Sequence, residues 1–203
     1  MDGEAPRTRG SYLLVARLAH PAEIAVGRLG TFLFRTGWYA YAGSALGPGG
    51  LCGRLAHHRR ADKRLHWHID YLLRVTGMEA AWYLVSDDRL ECAWAAALAC
   101  IPGHRQWPPR FGASDCRCPG HLVHCPVRPT DAQIAEALRQ TAEAVATNGR
   151  GTYASPLVVT ALAVVAPRFQ SPGSSQSHGT ITRLGNQCSQ AVTTNASEYA
   201  PYR

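Results

Sequence analysis

The run SYLLVARL (residues 11–18) sets Tyr12, Leu14, Ala16 and Leu18 at every second position, the period of a strand that turns one face into a core. Short β-type runs follow at 24–26, 31–34 and 38–42, separated by Gly27, Gly30 and Gly37, and together they predict an N-terminal antiparallel meander. After the Gly-Pro-Gly-Gly break at 47–50 the period changes. Residues 51–60 read as a helix, with Leu51 and Leu55 one turn apart and Arg54 and His58 one turn apart on a neighbouring face. A second helix is predicted over 67–75, with Ile69, Leu72 and Leu73 as its apolar stripe. AAWYLV (80–85) reads as a strand and 90–101 as a helix burying Leu90, Trp94, Ala97, Leu98 and Ile101. Strands, then helix, helix, strand, helix describe an α+β fold, a small antiparallel β-sheet flanked by helices.

Outward from that segment the composition changes twice. A chain of 203 residues, 46% apolar, buries one core and hardly two. Residues 1–125 hold all five tryptophans, eight of the nine histidines and six of the seven cysteines. The expected organisation is an extension over 1–9, the main domain over 10–125 and a helical appendage over 126–168. Within that appendage lies a helix (130–146) opened by a Thr130/Gln133 capping box and closed at Asn148-Gly149. Beyond 169 the sequence is rich in Ser, Gly, Gln and Thr, which predicts a disordered tail. The N-terminus has no apolar segment of a secretory signal, and the longest apolar run, 157–166, is too short to span a bilayer. With seven cysteines, an odd number, these features point to a soluble protein of the reducing cytoplasm with no membrane partner.

Twenty-one Lys and Arg against 14 Asp and Glu give a net charge of +7, which favours a polyanionic partner. The densest stretch is RLAHHRRADKRLHWH (54–68), five cations and four histidines around the single acid Asp62. It is expected to form a phosphate-contacting surface through Arg59, Arg60, Lys63, Arg64, His66 and His68. His68 and Asp70 have a second reading, in which they hold the second helix to the sheet through hydrogen bonds. Cys116, Cys118, His121, His124 and Cys125 supply enough thiol and imidazole for a four-ligand structural zinc site, for which Cys116, Cys118, His121 and Cys125 are the candidates. The C-x-C-x-x-H spacing departs from the common C-x₂₋₄-C knuckle and favours reduced thiols in a loop.

Two tyrosines on neighbouring strands, Gly10-Ser11-Tyr12 and Tyr41-Ala42-Gly43, precede Arg54, eleven residues after Gly43, and Glu91 at the start of a later helix. This pattern resembles the GIY-YIG nuclease superfamily, with Arg54 and His58 as its Arg-x-x-x-His and Glu91 where that family keeps a metal-binding glutamate. The chain more closely resembles a prokaryotic branch of the superfamily, the DUF123 type of unknown function, found alone or fused to endonuclease III-like glycosylases. The phrases that carry this are VGRLG (26–30), GWYAYAGSALGPGGL (37–51), HWHIDYLL (66–73), LECAWAAAL (90–98) and FGASDCRC (111–118). Ser11 and Ala42 replace the usual isoleucines. Tyr12 and Tyr41 stand 29 residues apart, wider than is typical of the superfamily, which implies an additional β-hairpin.

The resemblance implies a metal-dependent DNA endonuclease with a place in DNA repair, acting on structure-specific or damaged DNA and partnered in some settings by a repair glycosylase. In the implied mechanism Glu91 holds one Mg²⁺ or Mn²⁺, Arg54 clamps the scissile phosphate, Tyr12 serves as general base, and Tyr41 and His58 orient or relay the proton. Asp115 is a candidate second carboxylate. Glu91 also reads as the third residue of a cap begun by Asp88. The alternative function is a nucleic-acid-binding module without chemistry.

Overall fold

The computed structural model describes residues 5–145 and 160–162. Nine strand residues open the main sheet in β1 (Gly10–Leu18), and its partner β4 (Gly37–Ser44) pairs with it directly and antiparallel, Tyr12 opposite Gly43 and Ser11 opposite Ser44. The intervening strands β2 (Ala22–Val26) and β3 (Gly30–Phe34) form a two-stranded sheet of their own. The meander expected from the alternating runs is therefore interrupted: the extra hairpin implied by the spacing of the two tyrosines leaves the main sheet, and β1 meets β4 across its base.

Four further strands complete the main sheet, β5 (Ala80–Val85), β6 (Arg105–Gln106), β7 (Leu122–Cys125) and β8 (Thr160–Leu162), in the order β6-β7-β4-β1-β5-β8 with every pairing antiparallel. β1 is central and buried on both faces. Tyr12, Leu14, Ala16 and Leu18 enter one core with Tyr39, Tyr41, Leu51, Leu55, Ile69 and Leu72. Leu13 and Val15 enter the other, with Ala40, Ala42, Trp82 and Trp94.

Each core is roofed by a helix pair. On the tyrosine face lie α1 (Gly50–Arg59) and α2 (His68–Thr76), whose apolar stripe of Ile69, Leu72 and Leu73 is buried as its period requires. On the opposite face lie α3 (Glu91–Ala99) and α4 (Asp131–Val145). α3 is shorter at both ends than its periodicity suggests. α4 opens on the expected capping box, with Gln133 N–H donating to Thr130 Oγ1 (3.2 Å) and Thr130 N–H donating to Gln133 Oε1 (2.9 Å). Ile134 and Leu138 of α4 are fully buried in the α3-side core. The boundary drawn at residue 125 thus falls between two elements that share one core. The expected helix stop at 148–149 and the tail from 169 lie outside the described residues. Among those described, no helix is long and apolar enough to cross a membrane.

Candidate active site

The two motif tyrosines meet at the edge of the sheet where β1 begins and β4 ends. Alternation sends Tyr12 and Gly43 to the α1/α2 face, and Ser11 and Ser44 to the α3 face. Gly43 is required by the tyrosine opposite, since a Cβ there would lie 2.5 Å from the Tyr12 hydroxyl. The rings of Tyr12 and Tyr41 are neighbours, with centroids 6.4 Å apart.

A hydrogen-bonded chain runs inward from Tyr12. Its hydroxyl donates to His58 Nε2 (3.0 Å), and His58 Nδ1–H donates to Asp70 Oδ1 (3.1 Å). α1 supplies the histidine and the first turn of α2 supplies the aspartate, both buried. Asp70 Oδ2 accepts from His57 Nε2 (3.1 Å) and from the backbone N–H groups of His66 and Trp67 (3.0 Å each). Burial raises the Asp70 carboxyl, but these hydrogen bonds outweigh it and hold the group well below the usual carboxylate range. Burial pushes His58 down to about 4 against the opposing pull of Asp70, so at neutral pH the ring is uncharged and Nε2 accepts. Burial also pushes both tyrosine phenols up, with Arg54 acting in the opposite direction through its charge on each and through a hydrogen bond to Tyr12.

His57, His58 and Asp70 together have the composition of a metal site. Their ligand atoms are committed elsewhere: Asp70 is filled by N–H donors, His58 Nε2 faces the Tyr12 hydroxyl, and the Lys63 ammonium stands 3.4 Å from Asp70. The cluster is a proton-holding network.

Glu91 lies at the first position of α3 and is not the third residue of a cap, because Leu90 precedes the helix without a side-chain capping bond. Ser11 fixes this corner. Its Oγ accepts from Leu90 N–H (3.2 Å) and donates to Asp88 O (3.3 Å), so Ser11 anchors the segment leading into Glu91. Glu91 Oε1 accepts from Ser44 Oγ (3.3 Å), whereas Oε2 is buried and has no hydrogen-bond partner. A buried carboxylate oxygen left without a donor is a fitting ligand for a hard cation. Its charge acts on Tyr12 and Tyr41, which places all three in one electrostatic neighbourhood.

The remaining sequence candidates separate into four groups. Arg54 stacks its guanidinium over Trp67, 3.9 Å from the ring centroid, beside Tyr12. Arg59, Arg60, Arg64 and His66 are exposed. Lys63 and His68 are corrections to the expected surface: Lys63 Nζ is buried and donates to His58 O (2.8 Å), and His68 Nδ1 accepts from Gly112 N–H (2.9 Å), tying α2 to the loop over Tyr41. Asp115 is exposed and pairs with Arg89 at 2.7 Å rather than entering the site as a second carboxylate.

Of the cysteine candidates, Cys116, Cys118 and His121 converge, and Cys92 of α3 joins them; Cys125 is buried in the α3-side core away from this group, and His124 bonds to Thr36 O. Two site residues were missed by sequence reasoning in their roles. Asp70 stands i+3 from Trp67 at a helix start, which signals a cap, and Cys92 carries no local signal beyond its place next to Glu91.

A model of the family described as "Domain of unknown function DUF123" matches residues 11–144. No curated protein and no solved structure matches the chain.

Proposed function

The chain belongs to the DUF123 family, and from that premise and the site geometry we propose that it is a metal-dependent endonuclease of the GIY-YIG type that hydrolyses phosphodiesters in DNA, in a cytoplasmic setting. The observation that carries the reading is the Tyr12–His58–Asp70 chain at the sheet edge, with the unpartnered Glu91 oxygen in the same neighbourhood. Glu91 would hold one Mg²⁺ or Mn²⁺, which when bound supplies charge neutralisation at the phosphate and the leaving oxygen.

The residues of the chain divide the remaining work. Arg54 binds the scissile phosphate, its guanidinium oriented by Trp67. Tyr12 accepts a proton from the attacking water while its own proton passes to neutral His58. This concerted transfer avoids a free phenolate, which burial disfavours. Asp70 holds His58 in the Nδ1–H tautomer and stabilises the imidazolium that forms, the role of the acid in a hydrolase triad. The new P–O bond comes from the water oxygen, and the bond to the leaving sugar oxygen breaks.

Arg59, Arg60 and Arg64 extend the positive surface beside the site and would bind flanking phosphates without reading bases. Incubation with plain, branched and base-damaged DNA in Mg²⁺ or Mn²⁺ tests the reading. Cleavage is expected, abolished by EDTA, Glu91→Ala and Tyr12→Phe with binding largely kept. Salt-sensitive binding indifferent to EDTA, with no cleavage of any form, would instead identify a nucleic-acid-binding module.

A further inference from the structure

We propose that Cys92, Cys116, Cys118 and His121 bind one zinc ion that clamps the first turn of α3 to the loop before β7. The four ligand atoms come from two segments and converge within 4.8 Å of one another. His121 Nε2 lies 3.3, 3.4 and 3.0 Å from the sulfurs of Cys92, Cys116 and Cys118, and Cys118 Sγ lies 3.4 Å from Cys92 Sγ and 2.8 Å from Cys116 Sγ. Tetrahedral zinc with bonds of about 2.3 Å to sulfur and about 2.0 Å to nitrogen sets neighbouring ligands about 3.5–3.8 Å apart, so small outward shifts seat the ion. The closest sulfur pair is far wider than a disulfide of about 2.05 Å. Without a cation, three thiols would face one another and one imidazole, an exchange of weak donors and acceptors that explains their convergence poorly.

The surroundings orient the ligands. His121 Nε2 faces all three sulfurs, which leaves the other ring nitrogen for the outer bond that commonly fixes a zinc-binding histidine. His121 N–H donates to Phe111 O (2.7 Å), Ala42 N–H donates to His121 O (3.0 Å), and Arg110 donates to Cys118 O (3.0 Å), so the loop is pinned to the sheet around its ligands. Gly112 has φ +76°, and a Cβ there would lie 2.7 Å from the Tyr41 ring. With four protein ligands the site is closed, which marks it as structural. The inference stands independently of the endonuclease reading. It supplies a rigid link between Glu91, adjacent to Cys92, and the loop that packs on Tyr41.

The full chain, purified without added metal or chelator, is expected to carry one zinc by elemental analysis. X-ray absorption at the zinc edge should fit three sulfurs and one nitrogen, a measurement that needs no variant. Replacement by Co²⁺ should give thiolate charge-transfer absorption and the intense visible bands of a tetrahedral site. Cys92→Ser and Cys118→Ser should each weaken zinc affinity by more than about 100-fold, beyond the loss typical of an outer hydrogen-bonding partner, while Cys125→Ser keeps the zinc. Folded protein without zinc that does not take it up, a disulfide among the three thiols, iron in place of zinc, or a first shell with fewer than three sulfurs would each overturn the proposal.

Discussion

Asp70 accepts four hydrogen bonds, from His58, His57 and two backbone N–H groups, and so fixes the geometry of the histidine that meets Tyr12, although Asp70 itself makes no bond to the tyrosine. Asp70→Asn keeps the shape and removes the charge. In the DNA-cleavage assay it is expected to lower kcat by about 10²- to 10⁴-fold with KM little changed, because the imidazolium formed during proton transfer loses its stabilising partner. An Asn variant with full kcat would remove Asp70 from the mechanism. His58 makes a separate prediction for stability. Its ring is pushed from the usual 6.5 to about 4, so the unfolded chain binds more protons between those pH values. Stability is fully present above about pH 6.5 and falls as the pH drops toward 4, by up to about 3 kcal/mol from this group. Burial lowers His68 and His104 as well, and they add to the same slope. Urea denaturation across this range should show the decline, and His58→Gln should make it shallower without abolishing it.

At the scale of elements, the site depends on two strand ends presenting opposite faces to two helix layers. Ser11 and Tyr12 are consecutive, yet one ties down the approach to α3 and the other joins α1 and α2 through His58. Ser11→Ala removes the hydrogen bonds of Ser11 Oγ to Leu90 N–H and Asp88 O, at an expected cost of about 1–3 kcal/mol. It should also weaken Mg²⁺ affinity, read as a raised metal concentration for half-maximal cleavage, because Glu91 follows the freed segment. Unchanged metal dependence in a destabilised variant would confine Ser11 to a structural role. The alternation at 11–18, the apolar stripe of α2 and the Thr130/Gln133 box were legible because each is a local periodicity or a local hydrogen bond. The separation of β2 and β3 from the main sheet was not, since alternation reports which side chains face a core but is silent on which strand lies alongside.

For the whole molecule, the question is how much chain the fold requires. α4 closes the α3-side core with Ile134 and Leu138 fully buried, and β8 pairs with β5 at the far edge of the sheet. Leu138→Ala should therefore cost about 2–5 kcal/mol of unfolding free energy, read by urea denaturation, the range of a true core position, whereas an exposed appendage would lose almost nothing. The basic stretch at 54–68 likewise resolves only in three dimensions. Its charge suggested one continuous phosphate-contacting surface, but the fold turns Leu55, His58 and the Lys63 ammonium inward and leaves Arg59, Arg60 and Arg64 outside.

The sequence by itself determined β1 to β5, the four helices, the two tyrosine triplets and the charge excess, because these are properties of neighbours along the chain or of composition; the short strands β6, β7 and β8, the last in a stretch expected to be a helical appendage, carry too little periodicity to be read. Only the tertiary structure decided that Asp70 terminates the Tyr12–His58 chain, that Lys63 is buried beside it, and that Cys92 replaces Cys125 in the thiol cluster. Those facts depend on the approach of separate elements, whose relative positions are set by packing two helix layers on a twisted sheet and leave no periodic trace in the residues themselves.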